Sequence, residues 1–218
     1  MTTPPRRLAP GDRRRQILSV ARELLDFKPL DDITVEEAAE RAGVSPGLVF
    51  HYFGTQHKLR RAVAEDVAAE LLVQLAPDPS LSHVDQLHGA LDRFTEYVAR
   101  RPRLFLAVTR VAGASQDLRE LHAAIRATMG DWLVEALRDV GVDDTPALRA
   151  TISGWIAYTE EIVLDWLTEP ALTRPEVVGL CETACYQLVR GTIGDEERWQ
   201  RVAAALARTP VPDATVTE

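Results

Sequence analysis

The chain has 218 residues, of which 46% are hydrophobic and 27% charged, a composition typical of a folded protein and not of a disordered one. No apolar run approaches the roughly 18 residues of a membrane helix. The basic start "MTTPPRRLAPGDRRR" lacks the apolar segment of a secretory signal, and two cysteines make no disulfide framework, so we expect a cytoplasmic protein without a membrane partner.

The net charge of −8 divides unevenly: residues 1–61 hold eleven Lys and Arg against eight Asp and Glu, whereas residues 62–218 hold fourteen against twenty-five. A basic N-terminal segment followed by an acidic remainder is typical of a protein whose N-terminal part binds a polyanion.

Hydrophobic periodicity predicts an all-α protein of about ten helices. Apolar residues recur three and four positions apart along most of the chain, and no segment alternates with period two for long. The first helix carries the apolar stripe Ile17, Val20, Ala21, Leu24 and Leu25.

Two short helices follow, and the residues at their ends mark them clearly. Thr34 and Glu37 form a T-x-x-E capping box that begins the second helix, and Gly43 ends it in the manner of a left-handed C-terminal residue. Ser45 caps the third helix, with Pro46 at its first position, where a missing N–H costs nothing.

Longer helices make up the remainder of the chain. The fourth, capped by Thr55, extends toward Pro77. We expect the later helices to include Val84 to Val98, Leu104 to Val108, Leu118 to Val140, Pro146 to the residue before Pro170, Thr173 to about Gly191, and Trp199 to Leu206.

The second and third helices, joined by "AGVS", have the length and turn chemistry of a helix-turn-helix. The small residues Ala38, Ala39 and Ala42 let the third helix cross closely over the second. In such motifs the first turn of the second helix enters the DNA major groove, and Gly47 in that turn permits close approach.

Residues 13–63 resemble the DNA-binding domain of the tetracycline-repressor-like (TetR) family of bacterial transcription regulators, through "ILSVARELL" and "ITVEEAAERAGVSPGLVFHYFGTQHKL". The resemblance implies an N-terminal three-helix helix-turn-helix domain followed by a larger helical domain for ligand binding and dimerisation. We therefore predict a flexible basic arm at 1–12, a DNA-binding domain at 13–61, a regulatory and dimerisation body at 62–208, and a disordered tail at 209–218.

The resemblance also implies DNA contacts at the matching positions. Phosphate contacts are expected from Thr34, Ser45 and Tyr52, although Tyr52 has the alternative of packing on the first helix. Base contacts are expected from Pro46, Gly47, Leu48 and His51.

Two positions depart from the family pattern, and the first of them removes a phenolic phosphate contact. Phe50 stands where Tyr is common, and we expect it to pack in the core together with Phe53. Gln56 stands where Lys is common; it stays among the expected DNA-contacting residues, and Lys58 and His57 are candidate substitutes for the missing lysine. Arg13, Arg14 and Arg15 would supply charge from an arm in the minor groove; the alternative is a solvated tail.

Two helices near the C-terminus are our candidates for a dimer interface, because a single helix-turn-helix makes too few contacts for useful specificity. The resemblance implies that they pair with their copies in a four-helix bundle. The candidate residues are Ile152, Thr159, Val163, Trp166, Val177, Cys181, Ala184, Cys185 and Leu188. The cysteines lack further ligands at useful spacing, so we predict no metal site and favour small buried thiols over a redox switch.

A ligand cavity is expected among the middle helices, where aromatic residues concentrate. Its candidate wall residues are Phe94, Tyr97, Phe105, Met129, Trp132, Trp155, Tyr158 and Glu161. An acid such as Glu161 beside a ring would hold a cationic ligand. The alternative is that the acids face solvent or pair with arginines across the dimer, while the aromatic residues are ordinary core.

The sequence contains no metalloprotease H-E-x-x-H, phosphate-binding glycine loop or nucleophile elbow, so we predict no catalytic residues, no enzyme and no cofactor. We predict a homodimeric transcriptional regulator, most simply a repressor that binds a palindromic operator in double-stranded DNA. A small hydrophobic or cationic ligand of unknown identity would release it. Two alternatives stay open: a DNA-binding regulator without a small-molecule inducer, and a helical carrier or enzyme that merely resembles a regulator.

Overall fold

The computed structural model describes residues 10–102, 105–106 and 116–209, and the regular secondary structure of these residues is entirely helical. The predicted all-α fold class is therefore confirmed. The α-helices, numbered in chain order, are α1 (Pro10–Glu23), α2 (Val35–Ala42), α3 (Pro46–Phe53), α4 (Gln56–Leu75), α5 (His83–Arg100), α6 (Gln116–Asp139), α7 (Pro146–Thr168), α8 (Arg174–Ile193) and α9 (Glu196–Leu206). Among the described helices, none combines the length and apolarity needed to cross a membrane.

Most predicted helices correspond to helices of the structure, with ends that differ by a few residues. The helix α1 ends at Glu23, and Leu24 and Leu25 are buried in a 3-10 turn, Leu24–Asp26. The short helix expected at Leu104 to Val108 falls mostly outside the described residues, as do the predicted tail beyond residue 209 and the first nine residues of the predicted arm. Because α1 already begins at Pro10, the expectation of a flexible arm is wrong for residues 10–12.

Local hydrogen bonds explain why α2 and α3 begin where they do. The Thr34 hydroxyl accepts a hydrogen bond from the Glu37 N–H at 3.3 Å, and the Glu37 carboxylate accepts one from the Thr34 N–H at 3.2 Å. The Ser45 hydroxyl accepts from the Leu48 N–H at 3.3 Å. Both caps satisfy backbone donors that the first helical turn leaves free, and both were predicted.

The chain forms two compact units. The described residues of Met1–Glu70 and Arg101–Leu121 form the first, and those of Leu71–Arg100 and His122–Glu218 form the second. The boundaries between the two units lie within α4, at the end of α5 and within α6, and they reflect which residues pack together. The functional domain boundary predicted between residues 61 and 62 stays a prediction.

Each unit has its own hydrophobic core. The first is built on fully buried aliphatic side chains from α1 to α4, namely Ile17, Ile33, Val35, Val49, Leu59 and Val63. In the second, α7 packs along α8, and α5 also packs against α8. The buried side chains of this core include Val98, Leu148, Ile152, Val163, Val177 and Val178. This packing determines which faces of α7 and α8 are left exposed.

Candidate nucleic-acid interface

The turn between α2 and α3 holds the two helices close together. Gly43 has a φ of 64°, in the left-handed region that glycine adopts without strain. The Val44 N–H then donates to the Ala39 carbonyl at 2.9 Å. The crossing is tight because α2 contributes the small buried residues Ala38, Ala39 and Ala42, while Val49 anchors α3 in the core. The geometry is that of the predicted helix-turn-helix.

One face of α3 is open to solvent. It begins at the cap and consists of Ser45, Pro46, Gly47, Phe50 and His51. Leu48 and Tyr52, by contrast, are half-buried. Three of the four predicted base-contacting residues thus share the exposed face, whereas Leu48 lies beside it.

The expectation that Phe50 packs in the core is wrong. Its side chain is 45% exposed, whereas Phe53 is buried as expected. The sequence contained the signal that places it: Phe50 follows Pro46 by four residues and Gly47 by three, the spacing of one helical face. The general tendency of rings to be buried outweighed that spacing in the prediction.

The hydroxyls of the two helix caps Thr34 and Ser45, both predicted to contact phosphate, differ in how their protons are used. The Thr34 hydroxyl donates to the Glu37 carboxylate at 2.8 Å, so its single proton is committed. A hydrogen bond from Lys28 and a second from Thr34 lower the pKa of Glu37 from its ordinary value of 4.5. Ser45 uses its hydroxyl as an acceptor for the Leu48 N–H, which leaves the proton able to donate. The geometry therefore favours Ser45 over Thr34 as a phosphate donor.

The three arginines assigned to an arm lie on helix α1, which corrects that part of the prediction. Arg13 donates to the Gln16 side chain at 2.6 Å, and the Arg14 guanidinium lies 5.0 Å above the centre of the Phe53 ring. Arg15 is largely exposed and pairs with Asp12. Any contact of Arg15 with DNA would come from a helix and not from an extended segment.

The first turn of α4 holds the last two predicted DNA contacts. The Gln56 side-chain oxygen accepts a hydrogen bond from the Val35 N–H at 3.4 Å, so this residue also ties α4 to the start of α2. Lys58 is exposed and remains the candidate cation at this end. Arg60, one half-turn further, is committed elsewhere, because its Nε donates to the Ile33 carbonyl at 2.9 Å.

The residues predicted to line a ligand cavity do not form one group. Phe105 belongs to the first unit and the other seven to the second. Phe94, Tyr97, Phe105 and Trp155 are buried, and Glu161 is exposed. The half-buried members are Met129, Trp132 and Tyr158, and burial raises the pKa of Tyr158.

The second unit has a groove of about 510 Å³ between α6 and α7. Its walls are His122, Ala123, Arg126, Ala127, Gly130, Asp131, Val134, Arg149, Ile152, Ser153 and Ile156, which include none of the eight predicted cavity residues. Beside it, Glu160 lies 3.0 Å from His122 Nε2 and 3.6 Å from an Arg126 guanidinium nitrogen. Glu160 thus has its ionic partners within the chain, and the alternative in which the acids of α7 pair with arginines across a dimer stays a prediction.

The predicted dimer-interface residues divide into two groups. Six are buried within the chain itself: Ile152, Thr159, Val163, Val177, Cys181 and Cys185. Their assignment to a surface that meets a partner is corrected, because the chain itself already buries these side chains. Trp166 and Ala184 remain half-buried and Leu188 is exposed.

The outward face of α8 carries exposed apolar side chains that the prediction only partly identified. Leu180 and Leu188 are 38% and 44% exposed. Thr183, Gln187 and Gly191 lie on the same face. This face, and not the Cys181 stripe, is the surface of α8 that can meet a partner.

No group of three or more His, Cys, Asp or Glu in the described part of the chain is arranged to hold a metal ion. Both cysteines are free thiols buried in the second unit.

Comparison with known proteins locates the clearest similarity in the first unit. Residues 17–63 match the family model described as "Bacterial regulatory proteins, tetR family". Over 59 residues the chain is 36% identical to the HTH-type transcriptional regulator BetI of Escherichia coli, a segment that covers 27% of this chain and 30% of BetI. The chain thus matches these curated relatives over less than a third of their length.

Structural similarity extends along most of the chain. A tetR-family transcriptional regulator from Streptomyces coelicolor superimposes with a TM-score of 0.80 at 23% identity, covering 94% of this chain and 93% of that one. The regulator FadR from Bacillus subtilis, solved with stearoyl-CoA, gives a TM-score of 0.62 at 17% identity, covering 81% and 98%. At these identities the likeness shows a common fold. Together with the family match, it confirms the resemblance found in the sequence.

Proposed function

We propose that this chain, whose residues 17–63 match the family model of bacterial regulatory proteins of the tetR family, is a homodimeric transcriptional repressor that a small molecule releases from a palindromic operator. The observation that carries the proposal is the exposed first turn of α3, held by a capped helix-turn-helix. Neither the family nor the site points to catalysis, and we infer no enzymatic role.

DNA contact is supported by the exposed face of α3. Its first turn offers Pro46 and Gly47, whose small or rigid side chains let the backbone approach base edges. Ser45 at the helix N-terminus has a hydroxyl proton free to donate to a phosphate, and the helix dipole favours the same contact. Tyr52, His51 and Lys58 are our further candidates for contacts on this side.

Dimerisation is supported by the outward face of α8. Two leucines are exposed there, one turn from the half-buried Ala184, and a helix face of this kind is normally covered. On DNA, the two copies of α3 in a symmetric dimer would read half-sites about 34–36 Å apart, one turn of the duplex. A palindromic operator follows from that symmetry.

Ligand response is supported by the groove between α6 and α7, whose volume of about 510 Å³ is that of a small-molecule site. Its floor is apolar and its rim is charged, so we propose a mainly hydrophobic ligand. Met129, Trp132, Tyr158 and Glu161 do not line this groove, so they stay candidates for ligand contacts only at another site among the middle helices. Ligand binding would favour a conformation in which the two copies of α3 no longer match the spacing of the operator half-sites, so operator affinity would fall. Because such coupling is reciprocal, bound operator DNA would in turn weaken ligand binding.

The test is selection of bound duplexes from fragments of the source genome by the purified full-length chain at physiological salt. We expect one enriched palindrome whose half-sites lie about one helical turn apart. The matched control is Gly47→Glu, which should enrich nothing. An enriched site without symmetry would contradict the homodimer, and enrichment of no site would contradict the repressor proposal.

A regulator without a small-molecule inducer is the second candidate, and one observation favours it. The aromatic side chains of Phe94 and Trp155 are buried as core and line none of the groove. Decanoate and tetraphenylphosphonium, as hydrophobic anion and cation, should each be tested for release of the selected duplex. Release by either supports an inducer site, whereas no release, together with no co-purified small molecule in native mass spectrometry, favours the second candidate.

A further inference from the structure

We propose that Phe50 determines part of the operator sequence by contacting the C5-methyl group of a thymine in each half-site. The inference rests on the proposed function and deepens it, since it names the base feature that one residue of α3 recognises. It starts from the exposure of a ring that hydrophobicity alone would place in the core.

The position of Phe50 on α3 places its ring toward the part of the helix that enters the groove. Phe50 lies on the exposed face with Pro46 and Gly47, four and three residues before it. Side chains on a helix lean toward its N-terminus, so a residue in the second turn covers surface beside the first. The ring is therefore presented next to the turn that meets base edges.

The surface beside the first turn of α3 is open. A Cβ atom built on Gly47 would meet only the Ser45 hydroxyl oxygen, at 4.0 Å. Because Gly47 has no side chain of its own, nothing at this position keeps a methyl group on a base edge from approaching the exposed face of α3 that carries Phe50.

The chemistry of the ring selects the partner. A phenylalanine side chain has no hydrogen-bonding group, so it cannot read the donor and acceptor pattern of guanine, adenine or cytosine, and it cannot bond a phosphate. The thymine methyl is the apolar feature of the major groove, and phenylalanine is among the side chains that contact it. Since 45% of the ring is exposed in the free chain, DNA binding can remove apolar surface from water at this point.

The experiment uses the duplex recovered by the selection described above. Each thymine of the half-site is replaced in turn by deoxyuridine, which removes the methyl and leaves the hydrogen-bonding edges unchanged. We expect one position at which the replacement weakens binding of the full-length chain about fourfold for one half-site and roughly fifteenfold for both. The Phe50→Ala variant should bind methylated and unmethylated duplexes equally.

Two variants keep the result interpretable. Phe50→Leu retains apolar surface and should retain part of the methyl dependence. Phe27→Ala removes another exposed ring of the first unit, 63% exposed and outside α3, and should keep the full dependence. Because both rings are exposed, neither change opens a cavity, and circular dichroism should show native helix content.

The outcomes separate this inference from the proposed function. If a palindrome is recovered and no thymine shows methyl dependence, or if Phe50→Ala shows the same dependence as the unmodified chain, the inference is overturned and the regulator stands. If no duplex is enriched, both are overturned.

Discussion

The indole N–H of Trp155 on α7 donates a hydrogen bond to the carbonyl oxygen of Cys181 on α8, at 2.8 Å. Both residues are buried, and the bond joins the two helices that form the core of the second unit. It also explains why Trp155 belongs to the core and not to a ligand cavity, because a buried indole N–H needs a partner.

Trp155→Phe should therefore destabilise the second unit by about 2 kcal/mol, through the lost hydrogen bond and the smaller ring. The measurement is urea unfolding, with the midpoint lowered and the slope unchanged. Trp166→Phe is the matched control. Its indole N–H donates to the Leu172 carbonyl at 2.9 Å in a more exposed position, so the cost should be clearly smaller. Equal losses in the two variants would contradict the role assigned to the Trp155 bond.

Gly47→Glu should abolish operator binding and leave the fold intact. The space beside Gly47 is open, and a glutamate in the first turn of α3 is favoured by both helix propensity and the helix dipole, so the free energy of unfolding should stay equal or rise by up to about 1 kcal/mol. On DNA the new carboxylate would face phosphates, and like charges brought together cost several kcal/mol, so affinity should fall more than about 100-fold. Fluorescence anisotropy and thermal unfolding measure the two effects. Retained DNA affinity would mean that another surface binds DNA.

The helix ends were predictable because their causes are local. The boxes formed by Thr34 with Glu37 and by Thr173 with Glu176 lie within four residues of sequence, and the structure shows both. The exposed side of α8 was not predictable in the same way. This helix carries one apolar stripe through Cys181 and another through Leu180 and Leu188, and periodicity does not say which stripe the chain's own core covers.

The exposure of Phe50 is a second case in which hydrophobicity alone did not predict which side chains the core covers. Its ring is apolar, but the helical spacing from Pro46 sets the direction in which it points. The dispersal of the predicted cavity residues has a tertiary cause, since Phe105 and Phe94 belong to different units. The amino-acid composition along the chain does not predict which residues belong to which of the two packed units.

Ser45→Ala and Thr34→Ala should show that both residues stabilise a helix as its N-cap, but that only Ser45 also contributes to DNA binding. Each loses a cap worth about 1 kcal/mol of stability. Only Ser45 has a hydroxyl proton free to bond a phosphate, so Ser45→Ala should also weaken binding to all duplexes by roughly fivefold, the equivalent of one hydrogen bond. Thr34→Ala should change DNA affinity little, because its proton is held by Glu37. A larger loss of affinity for Thr34→Ala would show that this hydroxyl turns to the DNA.

Acid should remove the contribution of Glu37 to stability. Its pKa in the folded chain is lowered below 4.5, first by the hydrogen bond from Lys28 and then by that from Thr34. A carboxyl group with a lowered pKa stabilises the folded state above its unfolded pKa and ceases to do so as the pH falls through the folded value. The difference in unfolding free energy between the unmodified chain and Glu37→Gln should thus be largest near neutral pH and shrink below pH 4.5.

Lys28→Gln serves as the control for this pH dependence. Removing the strongest cause of the lowered pKa should flatten the acid limb without affecting the capping hydroxyl of Thr34. Urea unfolding at a series of pH values measures both effects. A difference between the unmodified chain and Glu37→Gln that stays constant across the acid range would contradict the assigned interactions.

The two thiols should be inert in the folded protein. Burial raises the pKa of Cys181 and raises that of Cys185 to about 12, so neither forms appreciable thiolate near neutral pH. Both side chains are also inaccessible to a reagent in solution. A thiol-specific disulfide reagent should therefore react with neither cysteine in the native chain and with both after unfolding in guanidinium. Rapid reaction of one thiol in the native chain would show that its part of α8 opens, and would revive the redox switch set aside in favour of buried thiols.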